Sequence, residues 1–500
     1  MRVRSEVDET GMYPNALTGS VAVRGRDTGR SVGIVVFVVV LAIAGVFATA
    51  SSARSFFPKS WDPSVAPIAA KVASLRGLEF VHPVAIRYLA PTDFEKQIGS
   101  AGQPTASARA EIQREEAVFR ALGFIGGKVD LLKEALTQST SDTLAYYDPP
   151  SQQIFVRGTT LDVAHRVTVA HELTHVLQDQ HFDLQKLQQR ADDSKVTDGS
   201  GLKGLIEGDA VRIEREYLKE LSVADHKEFD RENAAESTRI GNETSSVSEI
   251  LQVLTGAPYE FGPQTVRVLM ATGGNRAVDD ALTGAPPSSG VFISTGDVST
   301  AVGVTVPAPP PGGVRVGRTE AFGPFETLLT LAPRVDPVVA LSAADAVSGG
   351  EAVTYRSGGE TCYRVSVQPR FPHSRPFLLA AFRSWAKGRS GSTVDSVPNV
   401  VQFTACDPGT GAPVPDSKPL NATVALLALR SNLTVGAALA HVSGDRARCV
   451  GRVFVAKPGV EKLVIAIGDG QPTVQQAAQL RRISAATGVA CRADAGAGLR

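Results

Sequence analysis

Ala170-His171-Glu172-Leu173-Thr174-His175-Val176-Leu177-Gln178-Asp179-Gln180-His181 closes a stretch, residues 161–181, that holds neither glycine nor proline. Within it Val163, Val167, Ala170, Leu173, Val176 and Leu177 recur at helical spacing and form one broad apolar side, with His171 and His175 along its border. Thr159, three residues ahead of Asp162, is the expected start of this helix. Histidines four apart on a helix lie about 40° apart around the axis and one turn apart along it, so two imidazoles can converge on one metal ion. Glu172, between them, is placed to take a proton from water activated at that ion and pass it to a leaving amine. Zinc is the expected metal, since it acidifies water and polarises a carbonyl without redox chemistry. The chain has only eight histidines in 500 residues, so this spacing seldom arises by chance.

A third ligand has two candidates. His181 follows His171 by ten residues, the spacing of metzincin sites, but Gln178 stands where those sites need a glycine to turn the chain. If the helix continues, His181 lies about 15 Å along the axis from His171 and cannot reach the same ion. Glu207 is favoured instead. It sits on a second helix, residues 202–221, beside the apolar stripe Leu202, Leu205, Ile206, Ala210, Ile213 and Tyr217, where Gly208 and Ala210 allow close packing on the first helix. Glu214 and Glu216 are expected to be exposed carboxylates, and the polar segment 188–200 a loop. Asp179 is expected to be a solvated carboxylate, with orientation of His175 as its alternative role; His165 and His226 have no assigned role.

Outward from this pair, residues 64–75, 107–122 and 129–136 read as helices and 84–89, 144–147 and 154–156 as strands, with a turn at 148–151. Residues 32–48 are almost wholly apolar, and no charge occurs between Arg30 and Arg54. That length suits a membrane-crossing helix, and Arg24, Arg26 and Arg30 place its N-terminal side in the cytoplasm. A cleaved signal peptide is the alternative, with Ala48-Thr49-Ala50 as a small-residue site. The expected division is a cytoplasmic segment 1–30, an anchor 31–53, a first domain 61–306, a proline-rich linker 307–313 and a C-terminal α+β region 314–500. In that last region 325–331 and 474–486 read as helices, 363–367 and 460–467 as strands. The four cysteines all lie there, and order along the chain favours Cys362 with Cys406 and Cys449 with Cys491. Equal numbers of acidic and basic residues, 51 of each, give no global case for nucleic-acid binding.

The run from His171 to Phe182, followed by Glu207-Gly208-Asp209-Ala210, resembles the glutamate-ligand zincin metallopeptidases, and more narrowly a group of exported actinobacterial neutral zinc metallopeptidase-like proteins. Arg76-Gly77-Leu78-Glu79-Phe80 and Tyr146-Tyr147-Asp148-Pro149 fit the same group, and the likeness spans residues 64–221. Further on, where the group carries a Trp-Gly-Gly-Asp-like element, this chain has Val347-Ser348-Gly349-Gly350-Glu351. The resemblance implies an α+β zincin fold in which a peptide or protein substrate adds to an edge strand above the active-site helix. Residues 154–156 are the candidate edge, and Tyr146 or Tyr147 could offer a phenol to the oxyanion, packing being their commoner role. The expectation is a membrane-anchored, extracytoplasmic zinc peptidase with His171, His175 and Glu207 as ligands and Glu172 as base. A non-catalytic anchored binding protein and a zinc hydrolase of a non-protein amide are the competing readings; the oligomeric state is not legible.

Overall fold

The computed structural model describes residues 57–99, 105–194, 196–467 and 472–493, and in them the chain is a mixed α+β protein with two separate sheets. The expected cytoplasmic and membrane segments, 1–30 and 31–53, lie outside the described residues.

The first half runs α1 (Ala66–Arg76), β1 (Ala85–Leu89), α2 (Pro91–Gly99), α3 (Ala106–Leu122), α4 (Leu131–Asp142), β2 (Ala145–Asp148) and β3 (Gln153–Arg157). It continues with α5 (Val163–Phe182), α6 (Leu184–Asp193), α7 (Ser200–Lys219), α8 (Val223–Glu243) and α9 (Glu249–Thr283). Helices α1 and α3 each end at a glycine, Gly77 and Gly123, with φ of 70° and 79°, which a residue with a Cβ adopts only under strain. The strand order is β1-β3-β2, β1 parallel to β3 and β2 antiparallel to it. Ala145, Ile154 and Val156 share one core with Ile68 and Val72 of α1, Val167, Ala170, Leu173 and Leu177 of α5, and Ile213 of α7. The sheet therefore backs the helix that carries both histidines.

Three local expectations are corrected. Residues 154–156 belong to the central strand; the edge strand beside α5 is β2, because β1 pairs along the other side of β3. Helix α5 starts at Val163, capped by Asp162, whose carboxylate accepts from the His165 N–H; Asp is the stronger cap and Thr159 is not needed. The polar segment after α5 is largely helical, since Leu187 and Ala191, one turn apart on α6, are buried.

The α7–α9 crossing is set by glycines. A Cβ on Gly262 would lie 2.1 Å from the Gly204 carbonyl oxygen, and one on Gly208 would lie 2.5 Å from the Gly262 carbonyl carbon. Backbone thus rests on backbone, which brings the preceding turn of α9, with Tyr259, over α7.

The second half comprises α10 (Gly290–Ile293), β4 (Val314–Ala321), α11 (Pro324–Leu331), α12 (Pro337–Asp345), β5 (Val347–Ser357), β6 (Glu360–Pro369), α13 (Arg375–Ala386), β7 (Ser392–Val397) and β8 (Val400–Cys406). Helices α14 (Lys418–Leu439), α15 (Gly444–Val455), α16 (Val460–Ile467) and α17 (Val474–Ala493) follow. The sheet order is β4-β5-β6-β8-β7, every pair antiparallel. Phe382 and Trp385 of α13 pack on Phe403 of β8, ring centroids 4.7 and 5.2 Å away. Residues 460–467, expected as a strand, are helix α16: Val460, Leu463 and Val464 are the buried positions, and that spacing is helical. The glycines of Val347-Ser348-Gly349-Gly350-Glu351 have a packing reason, as a Cβ on either would meet a carbonyl oxygen of Val302 or Phe322 at 2.4 or 2.6 Å.

Residues 301–310 and 313 carry no regular element, and the expected linker at 307–313 falls within this irregular stretch. The apolar core nevertheless crosses it: Ile112, Phe119 and Leu122 of α3 and Ile250 and Phe261 of α9 join Val365, Phe382 and Phe403. The cysteines pair as the chain order suggested, Cys362 with Cys406 across β6 and β8, and Cys449 with Cys491 between α15 and α17. Among the described residues one helix, α14, is long and apolar enough to cross a bilayer, and it is mostly buried in the protein.

Candidate metal centre

Helix α5 presents His171 and His175, and α7, packed alongside, presents Glu207 between them. Glu207 Oε2 lies 3.3 Å from His171 Nε2 and 3.3 Å from His175 Nε2. One nitrogen from each ring and one carboxylate oxygen fall within 4.8 Å of one another. His181 is elsewhere: its Nε2 lies 2.8 Å from the Glu79 carbonyl oxygen. The continuous helix carries it away from the site, as the rise per residue requires.

The remaining ring nitrogens are also held. His171 Nδ1 lies 3.0 Å from Glu214 Oε2, and His175 Nδ1 lies 2.9 Å from Gln178 Oε1. In the neutral form of each ring these acceptors favour the proton on Nδ1, which leaves Nε2, the nitrogen that faces Glu207, as the atom able to bind a metal. Glu214 was expected to be exposed and is 2% exposed. Ile213 and Tyr217, on either side of it, pack in the core that holds α5, and a carboxylate seven residues after Glu207 returns to the same side of α7.

Glu172 is 1% exposed, and its two oxygens differ. Oε2 accepts from the Tyr147 backbone N–H at 2.7 Å, from the outer side of edge strand β2. Oε1 is buried with no hydrogen-bond partner among the described residues. Burial pushes the Glu172 carboxyl up to about 7 against the pull of His171 and His175. Burial also opposes charge on His171, but hydrogen bonds to Glu207 and Glu214 outweigh it and raise that ring to about 10. Glu207, although buried, is held well below the usual carboxylate range by His175 and His171. Two ring nitrogens and a carboxylate thus face one another, with positive charge on the rings favoured by the carboxylate between them. That donor set, with the orphaned Glu172 oxygen beside it, fits zinc.

Tyr147 does not serve as a free phenol. Its hydroxyl donates to Asp179 Oδ2 at 2.7 Å, and Asp179 Oδ1 accepts from the Leu184 N–H at 3.0 Å. Asp179 is buried, unlike the solvated carboxylate expected, and neither hydrogen bond goes to His175. Tyr146 stacks on Phe155, centroids 5.0 Å apart. His165 closes the N-terminus of α5, with ring nitrogens 2.6 Å from Asp162 and 2.8 Å from the Arg157 carbonyl oxygen.

Two further residues reach the site without a signal in the motif. Tyr259 of α9 lies with its ring centroid 6.4 Å from that of His171 and hydrogen-bonds Glu207; burial and that carboxylate hold it as a neutral phenol. Lys203, one turn before Glu207, is buried, and burial lowers its amine to about 8. The Gly204-to-Gly208 spacing and the Pro258/Pro263 pair were the available clues, but neither names a partner helix. No family model, curated protein or solved structure matches the chain.

Proposed function

We propose that this chain is a zinc-dependent hydrolase of the zincin type that cleaves peptide bonds, with His171, His175 and Glu207 as metal ligands and Glu172 as general base. The observation that carries the reading is the convergence of the two Nε2 atoms and the Glu207 carboxylate within 4.8 Å, on two packed helices. A zinc ion held there supplies Lewis acidity toward water and toward a carbonyl oxygen. The protein's own part is to hold and move a proton. With Oε2 fixed by Tyr147, Glu172 keeps Oε1 as a buried acceptor beside the ligand set, placed to take a proton and to return it. Edge strand β2 lies beside α5 with Ala145 and Tyr147 facing away from β3, but both residues are buried and the Tyr147 N–H is taken by Glu172, so this strand positions the base and presents no open ladder to an extended peptide. The apolar segment at 31–53 supports an anchored, extracytoplasmic setting.

The test is Glu172→Gln, assayed for zinc content and for turnover of a mixed peptide library. The expected outcome is unchanged zinc with turnover reduced at least about 100-fold, the scale of a lost general base. Undiminished turnover would remove Glu172 from the chemistry, and a zinc-loaded wild type inert toward peptides would favour a non-peptide amide or a binding role.

A further inference from the structure

The two candidate ligand histidines are backed by unlike groups. Behind His171 stands a carboxylate, Glu214, which can only accept. Behind His175 stands an amide, Gln178, which offers an oxygen on one side and an NH2 on the other and in isolation could turn either to the ring. An NH2 turned to His175 would donate to Nδ1, move the ring proton to Nε2, and remove the lone pair a metal needs.

Gln178 is fully buried and its NH2 is spoken for. Nε2 donates to the Ile206 carbonyl oxygen at 3.0 Å and to Asp209 Oδ2 at 3.1 Å, two acceptors that could not receive a bond from the amide oxygen. Asp209 is itself held on both oxygens. Its Oδ2 also accepts from Arg76 Nε at 2.7 Å, and its Oδ1 accepts from Arg212 Nη2 at 2.7 Å. Arg76 pairs in addition with Asp279 of α9, and Arg212 Nη2 donates to Asn275 Oδ1 at 3.0 Å. Arg76 and Asp209 are both 0% exposed, so this pair is shielded from water and its geometry is tightly held.

We propose that Gln178, locked by Asp209 and through it by Arg76 and Arg212, is a positioning residue that fixes the tautomer of His175 and so keeps its Nε2 available to the metal. The chain of contacts gives a reason for Arg76 and Asp209, which the sequence singled out within Arg76-Gly77-Leu78-Glu79-Phe80 and Glu207-Gly208-Asp209-Ala210 but to which the site chemistry gives no direct part. It also ties the metal position to α1 and α9, two helices that supply no ligand.

This inference rests on the metal reading above, and its test separates the two. The purified chain is titrated with zinc against a chelator, as wild type, Gln178→Leu and His175→Ala. In parallel, proton spectra of the cobalt-loaded wild type and leucine variant are recorded for paramagnetically shifted, exchangeable imidazole N–H signals. Wild type is expected to bind one ion and show two such signals, one from each Nδ1–H. Gln178→Leu keeps the volume and leaves Asp209 paired with both arginines, so it is expected to fold, to bind zinc about 10- to 100-fold more weakly, and to lose or broaden one signal by faster exchange. Wild-type affinity together with two undisturbed signals in Gln178→Leu would overturn the positioning role while leaving the metal site standing. Failure of the wild type to bind zinc or cobalt would overturn both.

Discussion

Tyr259 is the residue whose importance rests most on the fold and least on the motif. On the proposed zinc-hydrolase reading, this neutral phenol against Glu207 and facing His171 is a candidate proton donor toward the substrate oxygen. Tyr259→Phe keeps the ring and leaves all three ligands, so zinc content is expected to stay at wild type while turnover falls about 100-fold, the loss seen when one oxyanion donor is removed. Turnover within a factor of two of wild type would assign Tyr259 to packing. His171, Glu172 and His175 were legible because four-residue spacing on one helix is a local property. Glu207 followed from an amphipathic stripe. Glu214, Tyr259 and Gln178 acquire roles only across the α5–α7–α9 seam, which no single periodicity encodes.

At the scale of elements, the site depends on two backbones touching. Gly262→Ala would put a methyl 2.1 Å from the Gly204 carbonyl oxygen, so α7 and α9 must separate. The expected cost is about 1–3 kcal/mol in denaturant unfolding, despite alanine's better helix propensity, together with weaker zinc binding. Gly241 on α8 has nothing within 4 Å of its added Cβ, and Gly241→Ala is expected to stabilise by about 0.5–1 kcal/mol in the same assay. Equal effects of the two substitutions would remove close approach as the cause. Helices α1, α3, α4, α5, α7, α11 and α17 were readable because caps and periods are local: Gly77, Gly123 and the stripes of α5 and α7 did that work. Strand 460–467 was misread because a short apolar run fits a buried strand and a buried helix equally until its neighbours are known. The edge at 154–156 was misplaced for a related reason, since β1, paired over long range, occupies the side of β3 that sequence leaves open.

Across the whole molecule, buried carboxyls outside the site tie stability to pH. Glu351, 5% exposed in β5, is raised to about 7 by burial alone. Between its ordinary value near 4.5 and 7 the folded chain therefore holds a proton that the unfolded chain has lost, so stability falls as pH rises through that window. Chemical denaturation is expected to show a loss on the order of 1–3 kcal/mol between pH 5 and pH 8, and Glu351→Gln to reduce that slope; an unchanged slope would contradict the assignment. The shared core of α3 and α9 with the C-terminal sheet could not be read from residue order, because the proline-rich run at 306–313 marks a break in secondary structure and says nothing about packing across it. We propose that the chain builds a two-histidine, one-glutamate zinc site from α5 and α7. Equilibrium dialysis of zinc against a chelator, comparing Glu207→Ala with His181→Ala, tests it most directly. The site described here predicts severe loss of zinc in the Glu207 variant and full retention in the His181 variant; normal retention without Glu207, or loss only without His181, would contradict it.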